Sequence, residues 1–319
     1  MKTRWSFPGL LLALTVFVLP AQAVIDRVID KTFDVKSGAI TVRAETFSGG
    51  ITVTPSDEPQ VRVTVRQTVE ATDEKAAEKL LAGLDVSLEQ SAADVVVLKI
   101  HPRHAVRWTW QNWSPASLAI EIRTPHSCHL DLQSQEGAIT VAALKGNVRA
   151  RTAAGTIFIG EIDGEIAATN GRGDISITAC NGPLKLLAKN GNVLIGRSGA
   201  RAELSAVDGL IEVQAARGPV IARVTRTDIK VSFVHPLQEA SDLNADGGDV
   251  TVGFDPRSAA TLNARASKFG SVRVRDLTIT PVKGKSGDSA LTGTLNGGGP
   301  LIKIRASGGN VRLNAVPAL

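Results

Sequence analysis

The chain has 319 residues, with 36 Lys and Arg against 31 Asp and Glu, 30 glycines, two cysteines and no tyrosine. So few aromatics exclude a core of large rings and leave Val, Ile, Leu and Ala to fill it in thin layers. Setting aside the two cations of the first four residues leaves 34 bases against 31 acids, or +3, which excludes the long basic surface that nucleic acid requires.

Lys2 and Arg4 precede the ten-residue apolar run Leu10 to Leu19, followed by Pro20-Ala21-Gln22-Ala23. A basic start, a short apolar core and a small-x-small end form the pattern of an export signal spanning 1–23. A run of ten is too short for a permanent membrane span, and no second run of spanning length follows. No cysteine stands at the cleavage point to carry a lipid anchor. The mature chain, 24–319, is therefore expected in the periplasm, at the cell surface or in the medium. It reads as one domain.

Gly38-Ala39-Ile40-Thr41-Val42 and Gly50-Ile51-Thr52-Val53 alternate like strands. Residues 60–125 differ, and predict an inserted strand-helix-strand cap. Val61 to Val65 reads as a strand. Thr72 to Ala82 reads as a helix with Thr72 as N-cap and acids in its first turn. Strands are expected again at Val86 to Leu88, Val95 to Ile100 and Leu118 to Ile122.

From Gly137 onward, glycine returns every nine residues at 146, 155, 164, 173, 182 and 191, then at 209 and 218 after Ala200. Two residues after each of these stands an apolar residue (Ile139, Val148, Ile157, Ile166, Ile175 and onward), and four after stands another. The fourth-position column alternates between branched Val141, Ile159, Ile177, Ile195, Val213 and slimmer or unbranched Ala150, Ala168, Leu186, Leu204, Ala222. The true unit is therefore eighteen residues with two strands, each opened by a glycine at a tight corner. The regular nonapeptides run from 128 to 226. Looser coils follow to 319, with a mobile loop expected between Lys283 and Pro300. The expected architecture is all-β: a parallel β-helix or β-solenoid with coils of about 18 residues.

Cys128 and Cys180 lie 52 residues apart, nearly three coils or about 14 Å in this geometry, beyond the roughly 7 Å that a disulfide spans. Two unpaired thiols are expected, at least one of them buried.

Ser37-Gly38-Ala39-Ile40-Thr41-Val42, the insert, Ile120-Glu121-Ile122-Arg123-Thr124-Pro125 leading into Leu130-Asp131-Leu132, and then the Gly-x-Ile-x-Val rungs resemble, in that order, the bacterial putative-adhesin family. The resemblance covers nearly the whole mature chain. It implies an exported solenoid with a surface role and supplies no catalytic motif.

Once Trp5 leaves with the signal, Trp108, Trp110 and Trp113 are the remaining tryptophans, among the cations Lys99, Arg103 and Arg107. On an extended segment Trp108 and Trp110 share a face, which suits sugar stacking or a headgroup interface. The same rings would equally serve as a plug for the solenoid's end. His101 and His104, like His126 and His129, are three apart and point to opposite sides of a strand; only His126 and Cys128 share one. The turn slots hold Ala138, Asn147, Thr156, Glu165, Asp174, Pro183 and Asn192, too few carboxylates for a calcium array. No metal or cofactor is expected. Arg172-Gly173-Asp174 spells an integrin tripeptide around a glycine that the repeat already requires.

The outward columns Thr140, Phe158, Ser176, Leu194, Glu212 and Arg149, Ala167, Lys185, Glu203, Ile221 carry no acidic stripe. The reading is a non-catalytic binding, adhesion or structural module. Its partners are expected among surface glycans, lipids or envelope proteins, with self-association through the ends open. Trp108, Trp110, Trp113, Arg103 and Arg107 are its ligand-binding candidates. The alternative is a carbohydrate-active enzyme, a lyase or hydrolase on a β-helix, using Asp246, Asp249 and Asp255.

Overall fold

The computed structural model describes residues 23–35, 40–71, 73–103, 116–234, 236–282 and 286–317. Residues 1–22 of the expected signal segment, 1–23, lie outside them. Backbone partners in the regular coils stand eighteen residues apart: Ile157 beside Ile175, Ile175 beside Val193, Val193 beside Ile211. Each coil contributes one strand to each of two fourteen-stranded sheets, and successive coils pair in parallel. The protein is a β-solenoid, as the repeat requires.

One sheet holds Ile139–Val141, Ile157–Asp163, Ile175–Cys180, Val193–Ser198 and Ile211–Ala216; it is the branched wall. The other, with Cys128–Glu136, Val148–Ala154, Ile166–Arg172, Leu184–Asn190 and Ala202–Asp208, is the slim wall. Their inward side chains meet in a core one coil wide, and Ile157, Ile159, Ile175 and Val193 are all sealed from solvent.

The walls differ in one detail. Slim strands keep strict alternation, so Val148, Ala150 and Thr152 all point inward. Branched strands slip by one residue after the fourth position, so Ile157 and Ile159 are followed inward by Ile162. Neighbouring coils make the same step at the same place, so their strands stay in register as each bends around the corner. The step adds a third inward row, Leu144, Ile162, Cys180, Ser198 and Ala216.

The matching corner of the slim wall buries polar groups: Thr46, Ser134, Thr152 and Asn170. A buried, unsatisfied polar atom costs about 1–3 kcal/mol. Each here bonds the turn beside it. Ser134 Oγ donates to the Gly49 carbonyl at 3.2 Å, Thr152 Oγ1 to Gly137 at 3.2 Å, and Asn170 Nδ2 to Gly155 at 2.8 Å.

Both ends are built out of chain order. The coil of Ile40–Thr46 and Gly50–Ser56 lies between Cys128–Glu136 with Ile139–Val141 on one side and Val95–Pro102 with Ala116–Pro125 on the other. At the far end, Leu301–Ala306 and Val311–Ala315 slot between Ser241–Asp246 with Val250–Phe254 and the outermost Ala260–Arg265 with Val272–Arg275.

Three expectations need correction. The helix, Glu74–Ala82, is capped by Asp73, whose carboxylate accepts from the Ala76 amide at 2.8 Å, rather than by Thr72. Asp73 is the last extended residue before the helix, and its carboxylate reaches the amide three residues on. The stretch from Lys283 to Pro300 contains strand Ala290–Leu295, antiparallel to Ala260–Arg265, which seats Leu295 in the core. Covering the edge of the slim wall outweighs its Gly and Ser content. Finally, Ala23–Asp34 forms an unforeseen strand, antiparallel to Gln60–Ala71, and the helix packs Ala77 and Leu81 against Val69 beneath it.

Cys128 and Cys180 are free and buried, as the coil geometry requires. They line opposite walls, and burial pushes both thiols up to about 11. Native protein should therefore resist a thiol reagent at pH 8, and unfolding should expose both groups. As pH rises from 9.0, the ordinary thiol value, towards about 11, the unfolded chain ionises before the native one and stability falls. Full labelling of the native protein at a rate matching free thiol would contradict this burial.

Gly173 has φ +117, and a Cβ there would strike the Gly155 carbonyl of the preceding coil. Gly173→Ala should cost about 1–3 kcal/mol in denaturant unfolding. Gly287→Ala, with nothing within 4 Å, should cost far less.

Candidate functional site

The residue after each corner glycine faces its counterpart one coil away. Asp174 Oδ1 accepts from the Asn192 amide at 2.7 Å, and Asn192 Oδ1 accepts from the Leu210 amide at 3.0 Å. The same ladder resumes as Asp228 to Asp249, Asp249 to Asn310 and Asn310 to Ser271. On the slim side His129 Nδ1 accepts from Asn147 and Asn147 Oδ1 from Glu165, both at 3.0 Å. The next slot is Pro183, which has no amide hydrogen to offer, and this ladder stops there. These Asn and Asp oxygens are thus engaged in stacking coil on coil. Among the described residues, no three of His, Cys, Asp and Glu are grouped to hold a metal.

Of the ligand-binding candidates, Trp108, Trp110, Trp113 and Arg107 lie outside the described residues. Arg103 directly follows strand Val95–Pro102 of the outermost N-terminal coil. Its amide donates to the Gly83 carbonyl at 2.8 Å, and its guanidinium stands 4.0 Å from Asp85 with both groups more than half exposed. The segment carrying the tryptophans leaves the slim wall at 103 and rejoins the branched wall at 116, at the same end.

The three aspartates of the catalytic alternative are not brought together. Asp246 ends a slim-wall strand, whereas Asp249 and Asp255 flank Val250–Phe254 on the branched wall. Six residues of extended chain span about 20 Å, twice the carboxylate separation that glycoside hydrolysis uses. Asp249 is held ionised, below the ordinary carboxylate range, first by the Asn310 amide and then by Arg312 at 2.7 Å. Asp255 is buried against Arg257, 2.6 Å away.

What remains free is the outer surface, and the two walls present different chemistry. On the slim wall Arg43, Asp131 and Arg149 stand side by side on neighbouring strands, and Lys185 is beside Glu203. With His129, Asn147 and Glu165 the first three border a shallow charged groove of about 290 Å³. On the branched wall Thr52, Thr140, Phe158, Ser176 and Leu194 form one row across five strands. Two residues further along the same strands stand Thr54, Ala142, Gly160, Thr178 and Gly196. None of these ten carries a charge. Phe158 protrudes from the centre, 45% exposed. Charge returns at the borders, with Glu121 beside Thr52, Arg123 beside Thr54 and Glu212 beside Leu194, and in the Glu161–Arg197 pair at 2.6 Å.

The columns from 140 to 194 were legible as outward positions. Thr52 and Thr54 were not, because nothing in an eighteen-residue register places residue 52 beside residue 140. A second groove, about 560 Å³, lies along the turns at Asn192, Asp208, Arg226, Thr227 and Lys230. Arg226 lowers the Asp208 carboxyl by bonding it through two nitrogens, at 2.7 and 2.5 Å, so this groove is internally neutralised.

A two-walled parallel β-solenoid with out-of-order end coils is the class of protein these features define. Its sequence matches the Toastrack DUF4097 family over residues 39–314, and the chain belongs to that family. No curated protein matches it. Among solved structures it is similar to a putative lipid binding protein from Parabacteroides distasonis ATCC 8503, at 14% identity and a TM-score of 0.45 over 90% of this chain and 96% of that one. It is also similar to a putative adhesin from Bacteroides fragilis NCTC 9343, at 13% identity and 0.37 over 91% and 97%. A putative adhesin from Parabacteroides merdae ATCC 43184 gives 9% identity and 0.38 over 90% and 96%.

Asn192→Ala removes one ladder acceptor and leaves the Leu210 amide unpaired, at an expected cost of about 1–2 kcal/mol. Because the ladder oxygens already bond amides, calcium or a chelator should leave the melting temperature of both proteins unchanged. A calcium-dependent rise would show that the turns bind the ion instead.

Proposed function

We propose that this chain is a non-catalytic binding module of the bacterial cell envelope or its surroundings, exported by the signal pattern at 1–23. One domain, 24–319, presents two contact regions. The first is the uncharged strip of the branched wall; the second is the segment holding Trp108, Trp110 and Trp113 between Arg103 and Arg107. No helix among the described residues is long and apolar enough to cross a membrane.

The observation that carries this reading is the strip. A rigid, flat row of hydroxyls around one exposed ring offers hydrogen bonds and a stacking face without any charge to satisfy, which suits a neutral glycan chain. Of the three aspartates that catalysis would use, Asp249 is spent on stacking and Asp255 on Arg257, which supports binding over catalysis.

The test is an array of bacterial glycans and peptidoglycan fragments probed with the mature protein, a Phe158→Ala/Leu194→Ser variant and a Trp108→Ala/Trp110→Ala/Trp113→Ala variant. Each variant is used once its melting temperature matches the parent. Loss of about tenfold or more in affinity in the first assigns the strip, and in the second the tryptophan segment. An array that retains nothing, or binding that both folded variants keep, refutes the reading.

A further inference from the structure

The charge of the mature chain is unevenly spread. From residue 257 to the C-terminus there are ten Lys and Arg and two acids, Asp276 and Asp288, a balance of +8; the preceding residues carry 24 bases and 29 acids, a balance of −5. Of these bases Arg257 and Arg312 are ion-paired with Asp255 and Asp249. The topology gathers Arg265, Lys268, Arg273, Arg275, Lys303 and Arg305 at one pole, because strands Ala260–Arg265 and Val272–Arg275 form the outermost coil and Leu301–Ala306 sits directly beneath.

On that coil Arg265, Lys268, Arg273 and Arg275 are all exposed, and among the described residues none of them forms an ion pair. Between them stands Phe269, 95% exposed, with the Lys268 ammonium 5.8 Å from its ring centre. Val274 occupies an inward slot beside Leu313 yet is 41% exposed, because no further strand of the branched wall covers it. Arginines on an edge strand do repel a second sheet edge, and that alone would account for Arg273 and Arg275. It does not account for an uncovered phenylalanine at the tip of the same coil, since a guarded edge has no use for an apolar projection.

We propose that this pole docks on an anionic lipid bilayer. The cations meet lipid phosphates, while Phe269 and the uncovered end of the core enter the headgroup region. The rod would then stand with its N-terminal pole and branched-wall strip away from the membrane. This deepens the binding-module reading by assigning its membrane partner and orientation, but it rests on different residues, so either can fail alone.

The experiment is co-sedimentation of the mature protein with vesicles of phosphatidylcholine alone and of phosphatidylcholine mixed with phosphatidylglycerol, at low and high salt. Binding is expected only to the anionic vesicles and should weaken with salt. Lys268→Glu/Arg273→Glu/Arg275→Glu should reduce it at least tenfold, since each basic group near such a surface is worth about a fivefold change. Phe269→Ser, far from the core, should reduce it severalfold without altering the melting temperature. Charge reversal at Arg149 and Lys185, on the slim wall, should change it little. No sedimentation with anionic vesicles overturns the proposal. So does binding that survives both pole variants, and so does a pole that instead joins copies of the chain, seen as concentration-dependent association in ultracentrifugation that the same variants abolish.

Discussion

Everything in this fold depends on how closely one coil approaches the next at its corners. At Gly155, Gly173 and Gly191 the backbone takes φ values of +134, +117 and +156, and a side chain there would meet the carbonyl of the preceding corner. With glycine in place, carbonyls and amides of successive corners bond directly, as Gly155 does with Arg172 and Gly173 with Asn190, both within 2.9 Å. Once the corners are stacked, the strands between them have no freedom of register. Columns of identical position must then pack on each other, which is why the core can be one coil wide and still be sealed.

That constraint also decides where function can reside. Side chains inside the coil are core. Several of those in the turns, Asn147, Asp174, Asn192, Asp228 and Asp249 among them, accept from a backbone amide of the next coil. Asp174, Asn192, Asp228 and Asp249 thereby each commit a side-chain oxygen to the stacking of coils. The outer faces and the C-terminal pole differ sharply: an uncharged strip on the branched wall, a charged slim wall and a cationic pole.

A stack of repeats is held only by its neighbours, so it should fray from its ends. Here the outermost coil at each pole is an internal segment of the chain, and the terminal segments 40–56 and 301–315 are sandwiched one coil further in. Neither of these two segments can leave without breaking its pairing with a coil on each side. The antiparallel strands Gln60–Ala71 and Ala290–Leu295 complete the arrangement by lying against the outer coils where a parallel strand would require another full turn, and Ala23–Asp34 pairs in turn with Gln60–Ala71.

The sequence by itself determined the coil length, the two walls, the inward columns and the unpaired thiols, because each follows from local periodicity and from glycine's access to positive φ. It also marked Phe158 and Leu194 as outward. Only the tertiary structure decided what stands beside what across breaks in that periodicity. Thr52 joins the row of Thr140, the coil 301–315 slides beneath 260–275, and Arg265, Phe269 and Arg275 meet at one pole. Strand pairing between distant segments is set by which edge remains open when the chain returns, and no repeat within either segment records that.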